Sequence, residues 1–170
     1  ALADLSMKDA RFQTNVEDAD LTYNGSDRVE FQLAANPGEA LKPLRTVASG
    51  GEISRIMLAL KAVFASADKI PTLVFDEIDA GVGGHAAKRV AHKIRELSSS
   101  HQVLCITHLA QIAARADAHY HVTKSASGAT TTTTIVPVAG PERTEELARL
   151  LDGSLTQVSL QHAQALLDET

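Results

Sequence analysis

Two adjacent carboxylates, Asp76 and Glu77, follow the apolar run Thr72-Leu73-Val74-Phe75. A carboxylate at the end of a buried strand suits a hard cation such as Mg²⁺, which keeps water and substrate phosphates among its ligands. The second carboxylate, one residue on, is free to orient or deprotonate an attacking water. Partial desolvation beside an apolar strand would raise its basicity. Ser49-Gly50-Gly51-Glu52 precedes a helical period. It offers a hydroxyl, two residues without a Cβ and the free N–H groups of a helix start, a combination that receives phosphate. His108 stands between an apolar run and a short helical segment, where its ring can donate a hydrogen bond to a terminal phosphate. Asp79 opens the glycine-rich stretch Asp79-Ala80-Gly81-Val82-Gly83-Gly84. Each piece also has a plainer use: the acidic pair as a turn that caps the next helix, Ser49 as an ordinary N-cap, His108 as a capping residue. Together they point to metal-assisted phosphoryl chemistry.

The elements that must hold these residues alternate between strand and helix. Leu73–Phe75 is short and apolar enough for a strand buried on both faces of a parallel sheet, with Asp76 and Glu77 at the C-terminal edge where such sheets bind ligands. From Glu52 to about Asp68, Ile53, Ile56, Met57, Leu60, Val63 and Phe64 repeat at the spacing of one buried helical stripe. A helix over His85–Leu97 places Ala87, Val90, Ala91, Ile94 and Leu97 inward, and Lys88, Arg89, Lys93 and Arg95 outward. Val103–Ile106 reads as a second buried strand, and Leu109–Ala116 as a short helix. Upstream, Arg11–Asp18 and Val29–Ala34 read as strands with Asn24-Gly25 as the turn signal, followed by a loop from Asn36 to Ser49. Downstream, His119–Thr123 and Thr130–Val138 form a hairpin through Ser125–Gly128, and its five consecutive threonines suggest an edge strand. Two helices follow, from Pro141 to Leu151 and over 156–168. The result is an α/β fold with no internal repeat and no second domain.

Bulk properties narrow the class. The 170 residues are one domain's worth, with ordinary apolar content and a formal charge of −5. A chain that coats DNA by itself is usually basic, so nucleic-acid contact must be local or supplied elsewhere. With no Trp, two Tyr and four Phe there is no base-stacking platform. The single Cys105 lies in an apolar run and reads as a small core residue in a reducing compartment. No stretch approaches a membrane span and no secretory signal opens the chain, so a cytoplasmic location is expected. The cationic helix face reads as solvated rather than DNA-binding, and His119 and His121 share a strand face without making a zinc site. Arg55 either pairs across a dimer or bonds to Glu52.

At this point the motifs carry a resemblance. Val47–Glu52 resembles the ABC-ATPase signature, Leu73–Glu77 the Walker B strand, Asp79–Gly84 the D-loop and Thr107–Leu109 the switch-histidine loop. Ala48–Arg55, Thr72–Gly84, Cys105–Ala113 and Glu146–Leu151 together look like the RecN branch of SMC-like ATPases of bacterial DNA repair, over about Arg28 to Leu151. Ala48 departs from transporter signatures, many of which have Leu there.

The resemblance implies an α/β fold, the C-terminal lobe of an ABC/SMC-type P-loop ATPase head. That lobe has a mostly parallel central sheet flanked by helices, with β-hairpins at its ends. Residues 11–170 would be this half of the head, and residues 1–10 the end of a coiled-coil arm or a frayed terminus. No G-x-x-x-x-G-K-[ST] occurs in the chain, so the Walker A loop would come from an N-terminal half beyond a long coiled coil.

By the same resemblance the cofactors are ATP and Mg²⁺. Asp76 would help hold the metal, Glu77 would be the catalytic base, and His108 would sense the γ-phosphate. Ser49, Gly50, Gly51 and Glu52 would bind ATP carried by a second head in an ATP-dependent homodimer, with Asp79 communicating across the interface. DNA would be met through the full-length protein, in double-strand break repair and recombination, at the nucleoid and not at a membrane. The rivals are a transporter ATPase subunit, a tether that dimerises on ATP and needs little turnover, and a metal nuclease using Asp76, Glu77 and Asp79. The nuclease leaves Ser49–Glu52 and His108 without a role.

Overall fold

In the computed structural model, which describes residues 2–5, 7–46, 49–65, 70–127 and 130–169, the chain divides into two compact units, Ala1–Ile106 and Thr107–Thr170. No composition shift marks that boundary, which falls inside the motif Cys105–Ala113.

The first unit opens with a single 3-10 turn, Ala3–Leu5, whose Leu5 is buried, as is Met7. Strands β1 (Arg11–Thr22) and β2 (Gly25–Ala34) form an antiparallel hairpin longer than apolar alternation alone predicts. The extra length is polar: pairing continues to Thr22↔Gly25 across a register irregularity between Asp18 and Thr22. The Thr22 hydroxyl closes the turn, donating to the Gly25 carbonyl at 3.1 Å and accepting the Asn24 N–H at 3.2 Å. Phe12, Val16, Val29, Phe31 and Leu33 share one face by the register, and only its Leu33 end is buried. A two-residue strand, β3 (Lys42–Pro43), pairs with β2 inside the stretch expected to be loop. Met7, Leu33 and Ile56 form the core under this sheet.

Helix α1 (Gly50–Phe64) starts two residues before the apolar period does, because Ser49 caps it. Its Ala65 end is described, but the expected limit near Asp68 lies outside the described residues. The expected buried stripe is only partly present. Ile56 is fully buried, but so are Leu58 and Ala59, whereas Met57, Val63 and Phe64 are exposed. Strand β4 (Thr72–Phe75), helix α2 (Gly84–Leu97) and strand β5 (Gln102–Cys105) form a parallel βαβ unit in the register Thr72↔Gln102 to Phe75↔Cys105. α2 buries Ala87, Val90, Ala91 and Leu97 as expected, with Ile94 half-buried. β4 is not buried on both faces. Leu73 and Phe75 point into the core, whereas Val74 is 65 % exposed, Leu104 50 % and Ile106 61 %. A parallel strand needs cover on two sides, and among the described residues this unit supplies it on one.

The second unit holds α3 (Ala110–Ala113), the hairpin β6 (His119–Ser127) and β7 (Thr130–Val138), α4 (Gly140–Asp152) and α5 (Gln157–Asp168). The threonine run pairs throughout with β6, from Ser127↔Thr130 to His119↔Val138. Gly153 ends α4 in the left-handed conformation (φ 71°), which glycine adopts without steric cost. Thr156 and Ser159 then close a capping box on α5. Leu147, Ala148, Ala110, Ala113, Ala114 and Ala163 form the core of this unit. Among the described residues no helix is long and apolar enough to cross a membrane.

Leu147 is the one large side chain among those six and is fully buried. Leu147→Ala should cost about 2–5 kcal/mol, through lost transfer energy and an unfilled cavity among alanines too small to close it. Urea unfolding measures this, and a loss below about 1 kcal/mol would mean that the cluster is not the core of the unit.

Candidate functional site

The first unit brings Ser49, Gly50, Gly51, Asp76, Glu77 and Asp79 together by laying the first turn of α1 against the turn that follows β4. Gly51 permits the approach. A Cβ there would stand 2.8 Å from the Ala80 Cβ, 2.9 Å from the Glu77 carbonyl oxygen and 3.1 Å from the Ala80 carbonyl oxygen. At Gly50 a Cβ would run into the Glu77 carboxylate. The two glycines are therefore required within this chain, whatever else they admit.

Two side chains of α1 tie the turn down. The Ser54 hydroxyl donates to the Asp76 carbonyl at 2.6 Å. Arg55, only 8 % exposed, donates from Nη1 to the carbonyls of Ala80 at 2.7 Å and Ile78 at 3.4 Å. Burial lowers the Arg55 pKa, and nearby Glu52 opposes that shift. The sequence left Arg55 between a dimer contact and Glu52; the structure commits its guanidinium mainly to backbone carbonyls of the acidic turn. Neither Ser54 nor Arg55 was predicted as a site residue. Their signal was position: one turn into a helix whose N-terminus meets a strand end.

The turn has a definite form. The Asp76 carboxylate accepts the Glu77 N–H at 2.9 Å, the Ala80 N–H bonds back to the Glu77 carbonyl at 3.0 Å, and the Val82 N–H to that of Asp79 at 3.0 Å. Glu77 has φ 55°, the one positive value outside glycine among the described residues. A non-glycine residue in that region carries strain of about 1–3 kcal/mol unless its surroundings impose it. Asp76 and Glu77 are exposed, so the expected desolvation of the pair is absent. The strand end they occupy has an open face, which leaves both to water. Asp79 is 3 % exposed and is the buried acid of the three.

Ser49 does what its plainer reading said: it is the N-cap, and its hydroxyl accepts the Glu52 N–H at 3.4 Å. It is also exposed at the helix mouth. One exposed carboxylate, Asp76, fits a Mg²⁺ held chiefly by phosphate and water, and not an all-protein cage. Among the described residues no group of three or more His, Cys, Asp or Glu is placed to hold a metal. His108 belongs to the second unit, on an exposed bend where the Leu109 N–H bonds to the Thr107 hydroxyl at 3.0 Å. The first unit's geometry therefore gathers the other residues without it. His121 is not a zinc ligand either: its Nδ1 lies 2.7 Å from the buried carboxylate of Glu146.

Burial, reinforced by the Asp79 and Asp76 carboxylates, pushes the Cys105 thiol up to about 12. At pH 8 the native thiolate is then about one part in ten thousand, so alkylation should be at least about a hundredfold slower than in urea. Comparable rates in both states would remove the buried, carboxylate-flanked environment. Arg55→Met should cost about 2–3 kcal/mol by orphaning two turn carbonyls. A denaturation midpoint unchanged from the parent would show that the tether carries no load.

The family described as RecF/RecN/SMC N terminal domain matches residues 7–131. The chain is 54% identical over 144 residues to the DNA repair protein RecN of Treponema pallidum, covering 84% of this chain and 25% of that protein. It is 49% identical over 146 residues to RecN of Halalkalibacterium halodurans, covering 85% and 26%. The chain thus spans about a quarter of the length of these relatives. Among solved structures, the Smc head domain of Pyrococcus furiosus, with an extended coiled coil and bound to the C-terminal domain of ScpA, superposes with TM-score 0.54 at 26% identity. It covers 80% of this chain and 32% of that one. The Smc head of Pyrococcus yayanosii, with a coiled coil and joint, superposes with TM-score 0.59 at 24% identity, covering 99% and 27%, and shows the likeness of fold.

Proposed function

The chain belongs to the RecF/RecN/SMC family, and on that premise we propose that it is the C-terminal half of a RecN-type ATPase head acting in DNA double-strand break repair and recombination. The observation that carries this reading is the packed junction of signature and acidic turn. A phosphate-receptive helix start and a pair of exposed carboxylates are held within one van der Waals contact by Gly51, Ser54 and Arg55. The open face of β4 and β5 supports it, because an N-terminal half carrying the Walker A loop would cover that face in the complete head.

In this reading ATP lies between two heads. Asp76 contributes a carboxylate oxygen to Mg²⁺, which when bound neutralises charge on the phosphate oxygens. Glu77 takes the proton of the attacking water. Its exposure leaves it reachable by water before the heads close. Ser49 and the first N–H groups of α1 receive the γ-phosphate of the nucleotide held by the other head, where the helix dipole favours negative charge. His108 senses the γ-phosphate of its own head, and Asp79 passes engagement across the interface. Residues 1–10 lead from the coiled-coil arm, and DNA is met by the full-length protein at the nucleoid.

Glu77→Gln in the full-length protein should reduce ATP turnover by about a hundredfold or more and accumulate ATP-bound head dimers, seen by sedimentation. The isolated 170-residue chain should turn over no ATP above buffer. Undiminished hydrolysis by the Glu77→Gln protein, or robust hydrolysis by the isolated chain, would defeat the assignment.

A further inference from the structure

The glycines of the signature loop have a task in their own chain before a second head arrives. The only groups found within 4 Å of a Cβ placed at Gly50 are the Glu77 carboxylate oxygen and its Cδ, the latter at 3.5 Å. The carboxylate therefore rests against the first turn of α1, beside unpaired N–H groups and the positive end of the helix dipole. Its backbone is held there as well, at φ 55°, between the Ser54 bond to Asp76 and the Arg55 bond to Ala80. Under the function proposed above, the γ-phosphate from the other head comes to the same helix end. Two anions cannot share it.

We propose that Gly50 and Glu77 form a latch in the nucleotide-free chain: the Glu77 carboxylate occupies the mouth of α1 that the incoming γ-phosphate takes, and the phosphate's arrival releases it for catalysis. The proposal rests on the two-head reading and deepens it. Gly50 is then a positioning residue for the base of its own head, and not only a gap through which a foreign phosphate reaches the backbone. Gly51 differs, because its neighbours are the Ala80 Cβ and backbone carbonyls that stay in place. Head engagement and readiness of the base become one event with no rotating domain between them. A head without a partner keeps its base engaged elsewhere.

The test is a double-mutant cycle in the full-length protein, with Gly50→Ala, Glu77→Ala and the pair. Without nucleotide, Gly50→Ala should lower Tm where Glu77 is present and leave it unchanged or higher where Glu77 is alanine, since the added methyl then meets nothing. Additive shifts would overturn the contact. The second readout is head association driven by a non-hydrolysable ATP analogue, so that hydrolysis plays no part. Glu77→Ala should lower the analogue concentration at half-association about tenfold, the factor for a seat open about a tenth of the time. An unchanged or higher midpoint would overturn the latch even if the Tm shifts couple. Failure of the parent protein to associate at all would instead remove the two-head reading, and the latch with it, leaving the Gly50–Glu77 contact to be judged by the Tm cycle alone.

Discussion

The first turn of α1 lies so close to the turn after β4 that residue 51 must lack a Cβ; an added one would stand 2.8–3.1 Å from atoms of Glu77 and Ala80. Bringing two backbone segments that near leaves their polar groups in need of partners. The Ser54 hydroxyl and the Arg55 guanidinium meet that need from the helix side. Each such bond is worth about 1 kcal/mol net, more where a guanidinium is the donor. The left-handed backbone of Glu77 costs about 1–3 kcal/mol. The tethers are thus of the size required to hold a strained acidic residue in one place. Without them the turn would relax, and the carboxylate would lose its fixed relation to the helix mouth.

That arrangement explains why the chemistry sits on an open edge. Leu73 and Phe75 anchor β4 from one side, while Val74, Leu104 and Ile106 on the other side remain in water, together with Met57, Val63 and Phe64 of α1. Exposed apolar residues scattered singly need no explanation, but a whole face of a parallel sheet does. The β1–β2 hairpin repeats the pattern, with Val16, Val29 and Phe31 exposed along one face. Both surfaces are what half of a composite head would present. The acidic pair stands at the end of the open one.

The second unit solves a different problem with similar means. α3 is only four residues long, and its last carbonyls have few helical partners. Arg143 of α4 supplies them, donating from Nη2 to the carbonyls of Ala114 at 2.9 Å and Ala116 at 2.7 Å. Glu146, buried one turn on, pairs with His121 of β6 and with Arg149. Helix α4 therefore fixes both the end of α3 and the hairpin, while Leu147 fills the space between alanines. In both units an arginine near a helix start, bonded to backbone carbonyls, does what periodicity cannot announce.

What the amino-acid sequence determined was the local grammar. The order Ser-Gly-Gly-Glu, apolar strand, Asp-Glu and His, the alternation of strand and helix, and most element centres follow from residue type and spacing, because caps, glycines and apolar periods act over a few residues. Tertiary structure decided the rest. The stripe of α1 rotated to bury Leu58 and Ala59 and to expose Met57, Val63 and Phe64, since burial depends on which faces find a neighbour and a periodicity cannot say so. The buried strand became half-buried for the same reason. Polar hairpin length came from a threonine hydroxyl closing a turn, which apolar alternation does not encode. The glycines looked like room for a phosphate. Only the fold, by bringing residues 50 and 77 together across 26 intervening positions, reveals that the room is already shared with a carboxylate of the same chain.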